Sequence, residues 1–372
     1  MNNKRQKILH AYKSYHPDEG GIPTIIKLIA EGLQANYQQE VLCTQKGLLG
    51  KNDVVNSVLV KRLASFGELL SLPLTPHYPV VLWKTAVNFD IVDYHFPMPW
   101  ADVAIAGYFP KKTKLIIHWH SEIIRQKRTA QILSPFIKRC LDRADKIVVA
   151  DEGCITTSLQ AYKEKCVIIP FGIDVDSWQN TNETEKIQIQ VFRKQYGKFI
   201  LGVGRLVSYK GFSVIIKAMQ YVDANLVIVG QGPLDEGLQQ LASQLNVAHK
   251  VHFFGKANQL ELKCLYHAAE IFALPSITEN EAFGVVQLEA MACNNPIVNT
   301  SLQSGVPNVA RHQKEALTVA PEDAEQLAQA LNQILADANL AKKLAENAFA
   351  RVNSVYTIER FLEKTAELYD SL

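Results

Sequence analysis

Short apolar runs alternate with helical patterns along the chain, beginning just after Lys7. The first apolar run covers residues 8–12, a helical pattern follows near 22–33, and a second apolar run covers 40–44. Strands that alternate with helices indicate parallel βαβ units, whose strands are apolar on both faces because helices cover them. The pattern therefore predicts an α/β chain with doubly wound parallel sheets.

The most informative motif follows the apolar run 271–274, which is predicted to be a short buried strand. After a polar loop, Val285, Leu288 and Met291 recur at helical spacing, so the chain is expected to run strand, loop, helix. The first N–H groups of a helix lack partners inside it, and the helix dipole favours an anion beside them. We therefore expect the helix to begin near Phe283 and Gly284 and to offer a site for a phosphorylated ligand there.

Two glutamates flank this predicted helix start. Glu281 lies just before or at the first turn, and Glu289 follows about two turns later. A binding role for both competes with a simpler one, in which Glu281 caps the helix and Glu289 is a solvated residue. The spacing by itself leaves both alternatives open.

A second loop carries two cations. The apolar strand 199–203 leads into Gly204, Arg205 and Lys210, and two cations directed at one place suit a diphosphate. The alternative is that both form ordinary surface ion pairs. Gly202 and Gly204 do not form a dinucleotide-binding fingerprint, because Val207 stands where that motif needs its third glycine.

Composition limits the class of protein. The chain has 372 residues, of which 48% are hydrophobic, and this predicts two domains with a core each. A net charge of +2 gives no global field that favours nucleic acid. Six cysteines without a C-x-x-C pair indicate neither a disulfide framework nor a zinc site, so buried apolar roles are expected. No apolar run suggests a secretory signal or a membrane span, and we expect a cytoplasmic protein.

Two places invite a comparison with metal sites. His118 and His120 share a face of the predicted strand 114–120, but no third ligand is expected nearby. Asp174 and Asp176 form a D-x-D pair, but they lie where a polar stretch begins that we interpret as a domain linker. We therefore predict no metal site.

The stretch Glu281, Ala282, Phe283 and Gly284, followed by Glu289, resembles the signature of two glutamates separated by seven residues in the retaining nucleotide-sugar glycosyltransferases of family 4. That family has the GT-B fold. The resemblance implies two Rossmann-like domains that face a cleft holding the donor, with a C-terminal helix that crosses back to the first domain. The expected divisions are an acceptor-binding domain at 1–175, a linker at 176–186, a nucleotide-sugar-binding domain at 187–353 and the C-terminal helix at 354–372.

The same resemblance implies roles for individual residues. Arg205 and Lys210 would grip the leaving diphosphate, Glu281 would hold sugar hydroxyls, and His120 would touch the donor sugar. Glu289 would bind the ribose. The residues expected to contact the donor nucleotide or its diphosphate are Gly20, Gly21, Gly204, Gly230, Phe254, Ala282, Phe283, Gly284 and Glu289. For the paired glycines at 20 and 21, an ordinary turn is the alternative.

The resemblance also implies a retaining, metal-independent transferase. It would move a sugar from a UDP- or GDP-linked donor to a saccharide, or to a polyprenol-linked or other lipid-linked acceptor, in the synthesis of cell-surface polysaccharide or lipopolysaccharide. No cofactor is expected, and the acceptor half inclines the donor toward a mannose-like sugar. A sugar-nucleotide epimerase and a non-catalytic nucleotide-sugar-binding protein are the alternatives.

Residues 111–146 contain ten lysines or arginines against three acids, interleaved with apolar residues. A surface of this kind can bind anionic lipid and would hold the protein peripherally on the inner face of the plasma membrane. A helix with a solvated basic face is the alternative.

Overall fold

The apolar runs form two separate main sheets in the structure, a computed structural model that describes residues 5–18, 20–69, 72–121 and 127–372. The chain divides into a first unit, Met1–Pro170 with Glu359–Leu372, and a second unit, Phe171–Ile358. Each unit contains one of the two main sheets, built largely of parallel strands, together with helices. The predicted architecture of two Rossmann-like α/β domains is therefore confirmed.

The elements are numbered in chain order. The strands are β1 (Lys7–Ala11), β2 (Gln38–Lys46), β3 (Lys51–Val55), β4 (Val58–Ser65), β5 (Glu68–Leu69), β6 (Leu72–Pro73), β7 (Ile91–Phe96), β8 (Lys114–Trp119), β9 (Lys146–Val149), β10 (Cys166–Ile168), β11 (Phe199–Val203), β12 (Asn225–Val229), β13 (Val251–Gly255), β14 (Ile271–Ala273), β15 (Ile297–Thr300) and β16 (Ala316–Val319). The α-helices are α1 (Gly21–Gly32), α2 (Tyr78–Ala86), α3 (Pro99–Gly107), α4 (Lys127–Arg143), α5 (Val175–Gln179), α6 (Glu183–Tyr196), α7 (Phe212–Ala218), α8 (Asp235–Gln244), α9 (Gln259–Ala268), α10 (Val286–Ala292), α11 (Val306–Val309), α12 (Ala324–Ala336), α13 (Ala338–Val355) and α14 (Ile358–Asp370). Short 3₁₀ helices cover Glu152–Cys154, Thr157–Lys165, Ser208–Lys210, Met219–Tyr221 and Ala248–Lys250.

The sheet of the first unit has the strand order β10-β9-β8-β7-β1-β2-β4-β3. Its neighbouring strands are parallel except β3 and β4, which form an antiparallel hairpin. Asn56 and Ser57 make the hairpin turn with φ angles of 47° and 70°, the left-handed region that two-residue hairpin turns require. Because of this hairpin, a strand follows β2 directly, where strict alternation would place a helix.

Helix α14 belongs to the first unit apart from its first residue. A side chain at Gly32 would place its Cβ 2.5 Å from Leu362 Cδ1, so α1 and α14 pack closely. The Tyr37 hydroxyl donates to the Ala366 carbonyl oxygen at 3.1 Å and to Asp370 Oδ1 at 2.7 Å. The expectation that the C-terminal helix returns to the first domain is thereby confirmed.

The sheet of the second unit has the order β13-β12-β11-β14-β15-β16, with all strands parallel. Its first strand lies in the middle and the chain order reverses beside it, which is the arrangement of doubly wound nucleotide-binding folds. Ile200, Leu226 and Ile271 are fully buried on three of these strands. Ligands of such sheets bind beyond the carboxyl ends of the strands at the reversal, so the loops after β11, β12 and β14 are of most interest.

The polar stretch 176–186, interpreted above as a linker, lies inside the second unit. Two contacts attach it there: the Lys263 ammonium donates to the Asn180 carbonyl oxygen at 2.6 Å and to Glu185 Oε1 at 2.8 Å. Asn182 also caps α6 through a capping box with Glu185. The chain enters the second unit after Pro170 and leaves it after Ile358, whereas the predicted boundaries lie at 175 and 353.

Two expectations from composition can be compared with the fold. Five of the six cysteines are buried and Cys166 is half-buried, which confirms that they are largely core residues. Within the described part of the chain, the helices are too short or too polar to cross a membrane.

Candidate active site

The loops after β11, β12 and β14 are packed against one another in the second unit. Gly211 has a φ of 70°, and a Cβ there would lie 1.8 Å from the Pro275 carbonyl oxygen. Gly230 lies equally close to Gly204, since its Cβ would come within 1.9 Å of the Gly204 carbonyl oxygen. Only glycine fits at these contacts. The three loops therefore form one continuous surface at the carboxyl ends of their strands.

A buried ion pair joins two of these loops. Lys210 Nζ lies 2.6 Å from Glu281 Oε2, and each side chain is 10% exposed. The Ser276 hydroxyl donates to the same carboxylate oxygen at 3.1 Å. Burial alone would lower the pKa of Lys210, but the neighbouring Glu281 carboxylate outweighs it, and the pKa is raised above its usual value. The loop surface therefore holds a protonated lysine.

The helix expected to begin near Phe283 and Gly284 begins later. Helix α10 starts at Val286, and Gly284 has a φ of 75°, which is not helical. The Phe283 ring packs against Phe171 and Tyr356, with ring centroids 5.2 and 5.9 Å apart. The prediction that residues 283 and 284 supply the first-turn amides of the helix is therefore wrong, because the left-handed glycine adds a turn before it.

Glu289 lies on α10 and is not a solvated residue. The Tyr266 hydroxyl donates to Glu289 Oε2 at 2.8 Å. Burial raises the pKa of Glu289 to about 7, although the Tyr266 hydrogen bond and the charge of Lys210 oppose the rise. Sequence analysis did not single out Tyr266 or Ser276, because a lone tyrosine or serine among helix and loop residues carries no spacing signal.

Arg205, Gly204 and Phe254, which were also predicted to contact the donor, differ in their exposure and in their neighbours. The Arg205 side chain is exposed, and among the described residues it has no ion-pair partner. A Cβ on Gly204 would lie 3.1 Å from Lys210 Cε, so this glycine makes room for the lysine. Phe254 is half-buried and packs edge-on against Phe192, with centroids 5.9 Å apart. The structure thus gathers Gly204, Lys210 and Glu281 closely and gives Phe254 an aromatic neighbour in the fold.

In the first unit, the paired glycines lie at the start of α1. Gly20 and Gly21 are both exposed, and Gly20 has a φ of 153°. A Cβ on Gly21 would meet nothing within 4 Å. This loop follows β1 and therefore lies at the carboxyl edge of the first sheet, where the resemblance expects donor contact.

A cluster of ionisable side chains lies on neighbouring strands of the same sheet, and we call it the histidine cluster. Its members are His10, Asp93, His95, His118 and His120. His10 is opposite Asp93 in the strand register, and His95 is opposite His118. Polar residues inside otherwise apolar strands are the sequence signal that marks this cluster.

The histidine cluster corrects the expectation that no third ligand lies near His118 and His120. His95 Nδ1 is 3.0 Å from His120 Nε2, and the ring centroids of His95 and His118 are 4.8 Å apart. The ligand nitrogens of these three residues lie within 4.8 Å of one another, so they could hold a metal ion. The third histidine comes from β7, which lies beside β8 in the sheet but is distant in the sequence.

Asp93 lies at the centre of the histidine cluster and is fully buried. Its Oδ2 is 3.3 Å from His118 Nε2 and 3.7 Å from His10 Nδ1, and it accepts a hydrogen bond from the Tyr369 hydroxyl. Burial alone would raise the pKa of Asp93, but His118 and the other histidines hold it well below its usual range. Burial lowers the pKa of His10, His95 and His120, the last to about 3.

The D-x-D pair belongs to helix α5. Asp174 accepts from the Ser177 amide at 3.0 Å as the N-cap, and Asp176 accepts from the Gln179 side chain at 2.6 Å. The polar pattern here is therefore explained by helix capping.

A polar cavity of about 790 Å³ lies in the first unit, at the carboxyl ends of β1 and β2. Residues around it include Lys13, Ser14, Asp18, Thr44, Lys46 and Asp53. Mixed charges and hydroxyl groups of this kind suit a hydroxyl-rich ligand.

The basic stretch 111–146 falls partly outside the described residues, which omit 122–126. Lys114 and Arg143 bind Asp145, at 3.4 and 3.0 Å. Arg143 also donates to the Thr113 carbonyl oxygen at 2.7 Å. Lys138 and Arg139 are exposed on α4. Part of the stretch thus stabilises the fold and part presents positive charge to solvent.

Comparisons with known proteins cover both units. Residues 19–177 match the family model described as Glycosyltransferase Family 4, and residues 183–351 match Glycosyl transferases group 1. O-antigen chain mannosyltransferase C of Escherichia coli is 26% identical over 381 residues, with 98% of each chain covered. D-inositol 3-phosphate glycosyltransferase of Corynebacterium jeikeium (strain K411) is 30% identical over 407 residues, covering 95% of this chain and 92% of that relative.

A solved structure shares the fold. Anabaena Alr3699/HepE in complex with UDP superposes with a TM-score of 0.81 at 21% identity, and the match covers 99% of this chain and 100% of that chain. The likeness extends over both units, which supports the GT-B fold expected from the sequence.

Proposed function

Because this chain belongs to the glycosyltransferases of group 1 and family 4, we propose that it transfers a sugar from a nucleotide diphosphate sugar to a saccharide or lipid-linked acceptor in cell-surface polysaccharide synthesis. The observation that carries the proposal is the buried Lys210–Glu281 pair, located where the loops after β11 and β14 meet. A protonated lysine at this edge of the sheet suits the diphosphate of a nucleotide-linked donor.

The proposed chemistry is retaining and uses no metal. The bond between the anomeric carbon and the diphosphate breaks, and a bond from the acceptor oxygen to that carbon forms on the same face. The acceptor proton passes to the leaving phosphate oxygen. Lys210 and Arg205 stabilise the negative charge that grows on the diphosphate, and one donor of this kind contributes about 3–4 kcal/mol.

The carboxylates have binding roles in this proposal. Glu281 fixes Lys210 and accepts from sugar hydroxyls, and Glu289 accepts from the ribose. His120, at the end of β8, contacts the donor sugar. The glycines at 20 and 21 allow the chain to approach the diphosphate, while Gly230 and Phe254 border the nucleotide base. The backbone of residues 282–284 adds contacts with the diphosphate.

The donor is proposed to be linked to UDP or GDP. The E. coli relative is named a mannosyltransferase, which favours a mannose-like sugar. The polar cavity near Lys13 and Thr44 is the proposed acceptor site. The protein is proposed to act in the cytoplasm at the inner face of the plasma membrane, with the exposed Lys138 and Arg139 on anionic lipid.

A mass-spectrometric scan of UDP- and GDP-sugars tests the function. The full chain is incubated with each donor in chelator, and slow donor hydrolysis is measured with and without saccharide acceptors. Hydrolysis or transfer with one donor, lost in Glu281→Gln and retained in the exposed control Glu279→Gln, is the expected result. Isomerised donor would indicate an epimerase instead. Donor binding without turnover under every acceptor would overturn the enzymatic assignment, and chelator-sensitive turnover would overturn the metal-free mechanism.

A further inference from the structure

A second cavity lies in the second unit, at the edge of the sheet opposite to the candidate active site. It has a volume of about 610 Å³, which is within the range of small-molecule pockets. Ala269 precedes β14 and Asn295 precedes β15, so the cavity borders the amino ends of these parallel strands. Lys210 and Glu281 follow β11 and β14, at the carboxyl ends. The cavity is therefore separate from the loop surface that holds this ion pair.

Three helices end at this cavity. Gln179 is the last residue of α5 and Ala292 the last of α10, while Ala269 follows α9. Helix C-termini present carbonyl oxygens, which carry partial negative charge. Arg193 on α6 donates to the His267 carbonyl oxygen at 2.9 Å and brings one positive charge to the same wall. The described residues that line the cavity include no carboxylate, so its net charge is small.

Three side-chain amides of the lining have their nitrogens bound within the protein. Asn295 Nδ2 donates to two backbone carbonyl oxygens, at 2.9 and 3.3 Å. Gln179 Nε2 donates to Asp176 Oδ1 at 2.6 Å, and Asn180 Nδ2 donates to the Asp176 carbonyl oxygen at 3.1 Å. Since the nitrogens are used in this way, the amide oxygens remain as acceptors.

The oxygen of Asn295 is the most constrained of these acceptors. The residue is 3% exposed, and its Oδ1 has no hydrogen-bond partner in the part of the chain that the structure describes. If the amide were turned over, this oxygen would face two carbonyl oxygens, which is repulsive. Buried polar atoms of native proteins nearly always have a partner. The lining therefore contains a buried acceptor that lacks a donor.

The lining selects the chemistry of a ligand. Amide oxygens repel an anion, and the guanidinium of Arg193 repels a cation. A neutral molecule rich in hydroxyl groups avoids both repulsions, because a hydroxyl donates to an amide oxygen and accepts from Arg193. Asn294, exposed after α10, adds an amide that both donates and accepts. The half-buried ring of Phe349 offers an apolar face on which the C–H groups of a sugar ring can pack.

We propose that this cavity is a second saccharide-binding site, in which Gln179, Asn180 and Asn295 accept from sugar hydroxyls and Arg193 donates to a sugar oxygen. The hydroxyl-rich class of ligand follows from the lining, whereas its identity as the acceptor or product of this chain rests on the proposed function. A saccharide held at the amino ends of the strands takes no part in bond breaking. It stays close to the protein between transfers, which raises its local concentration.

Binding is measured without any donor, in the full chain labelled with ¹³C at its alanine methyl groups. Ala269 and Ala292 report on the cavity, and Ala282 reports on the loop of Glu281. Linear trisaccharides of mannose and of glucose are the probes, with inorganic phosphate and methylammonium as the charged comparisons. At least one trisaccharide should shift the signals of Ala269 and Ala292 in a saturable way. No saturable shift with either trisaccharide, shifts confined to Ala282, or saturation by either ion would overturn the proposal.

Two asparagines provide a matched comparison. Asn294 and Asn246 each lie two residues after a helix, and both are exposed and left-handed, with φ angles of 60° and 57°. Asn294→Gly removes an amide from the cavity, whereas Asn246→Gly makes the same backbone change elsewhere. Kd for the trisaccharide should rise about fivefold in Asn294→Gly, as for one lost hydrogen bond, and stay unchanged in Asn246→Gly. Equal Kd values in the two variants would overturn the assignment of this cavity.

Arg193→Met tests the charged donor. Kd should rise about tenfold, because a hydrogen bond from a charged group is lost, while Lys194→Met, exposed on the same helix, should change nothing. An unchanged Kd in Arg193→Met would contradict the proposed contact. Failure of the proposed function would appear separately, as a wild-type protein that binds the trisaccharide but does not turn over any donor.

Discussion

The second unit buries one lysine against one glutamate, whereas the first unit surrounds one buried aspartate with three histidines and a tyrosine, and a fourth histidine bonds to one of these three. In the second unit, attraction between Lys210 and Glu281 keeps the lysine charged at any ordinary pH. In the first unit, burial lowers the pKa of His10, His95 and His120, while the neighbouring histidines hold the pKa of Asp93 well below its usual range. A charged pair suits electrostatic binding of an anion, whereas a buried row of imidazoles suits directed hydrogen bonds.

The largest effect is expected when the ion pair loses its cation. Lys210→Ala should abolish measurable donor turnover, and the buried Glu281 left without its partner should cost about 3–5 kcal/mol of unfolding free energy. Donor consumption by mass spectrometry and urea unfolding measure the two effects. Lys217→Ala, on the exposed face of α7, is the control. The double variant Lys210→Met/Glu281→Leu should recover stability without turnover; recovered turnover would contradict the assigned role.

Arg205→Ala should separate catalysis from stability. Its side chain is exposed and lacks an ion-pair partner among the described residues, so the urea midpoint should not move. Turnover should fall about a hundredfold, as expected for the loss of one charge that stabilises a leaving diphosphate. An unchanged rate in steady-state assays would remove Arg205 from the mechanism.

The first unit should lose stability in acid. The folded-state pKa values of His95 and His120 lie below the unfolded value of about 6.5, so the unfolded chain binds more protons below that pH. Stability is therefore present at about pH 7 and is lost as the pH falls toward 4, by about 2 kcal/mol or more. Urea unfolding of a Trp178→Phe variant, whose remaining tryptophans lie in the first unit, measures this loss.

His95→Gln should weaken the acid loss, since it removes one histidine whose protonation opposes folding. The exposed His249→Gln is the control and should leave the pH profile unchanged. Equal acid sensitivity in the two variants would show that the histidine cluster does not cause it.

In the second unit, the stability contributed by Glu289 should change with pH in the opposite direction, falling as the pH rises. The pKa of Glu289 is raised to about 7 in the folded state, above the unfolded value of about 4.5, so the folded chain binds the extra proton. Its contribution is favourable below about pH 4.5 and is lost as the pH rises through 7. Glu289→Gln should therefore be more stable than wild type at about pH 8, by about 2 kcal/mol, and should lose this advantage near pH 5. Urea unfolding at the two pH values checks the difference.

The smallest effect is expected at the D-x-D pair. Asp174→Ala removes the N-cap of α5 and should cost about 1 kcal/mol of stability. Asp176→Ala should cost less, and neither change should alter turnover or its response to chelator. A loss of turnover that added Mg²⁺ restores would instead make these residues metal ligands.

The sequence predicts the sheets because apolar runs and helical spacing are local properties. The same is true of the Glu281–Glu289 motif and of the two cations after β11, which lie close together in the chain. The hairpin of β3 and β4 escaped prediction because its turn, Asn56-Ser57, lacks the glycine that usually marks such turns. The polar stretch at 176–186 was predicted to be a linker from its composition. It belongs to the second unit because residues distant in the chain, such as Lys263, bind it there, and local composition does not reveal such partners.

Local sequence patterns do not predict which side chains of the site contact one another. Lys210 meets Glu281 because the adjacent strands β11 and β14 bring their loops together, and Tyr266 meets Glu289 because α9 and α10, on either side of β14 in the chain, approach each other. The histidine cluster needs three strands, so the sequence marks its residues without showing their contacts. The helix start shifted to Val286 because Gly284 takes a left-handed conformation that spacing cannot reveal.

The bond from Tyr369 to Asp93 has a consequence for the order in which the protein folds during synthesis. The ribosome completes the strands of the first unit early, but Tyr369 follows only after the whole second unit has been made. Until then Asp93 lacks its hydroxyl partner and α1 lacks the helix that covers Gly32. The first unit is therefore made first and finished last, while the second unit, continuous in the chain, can fold without waiting.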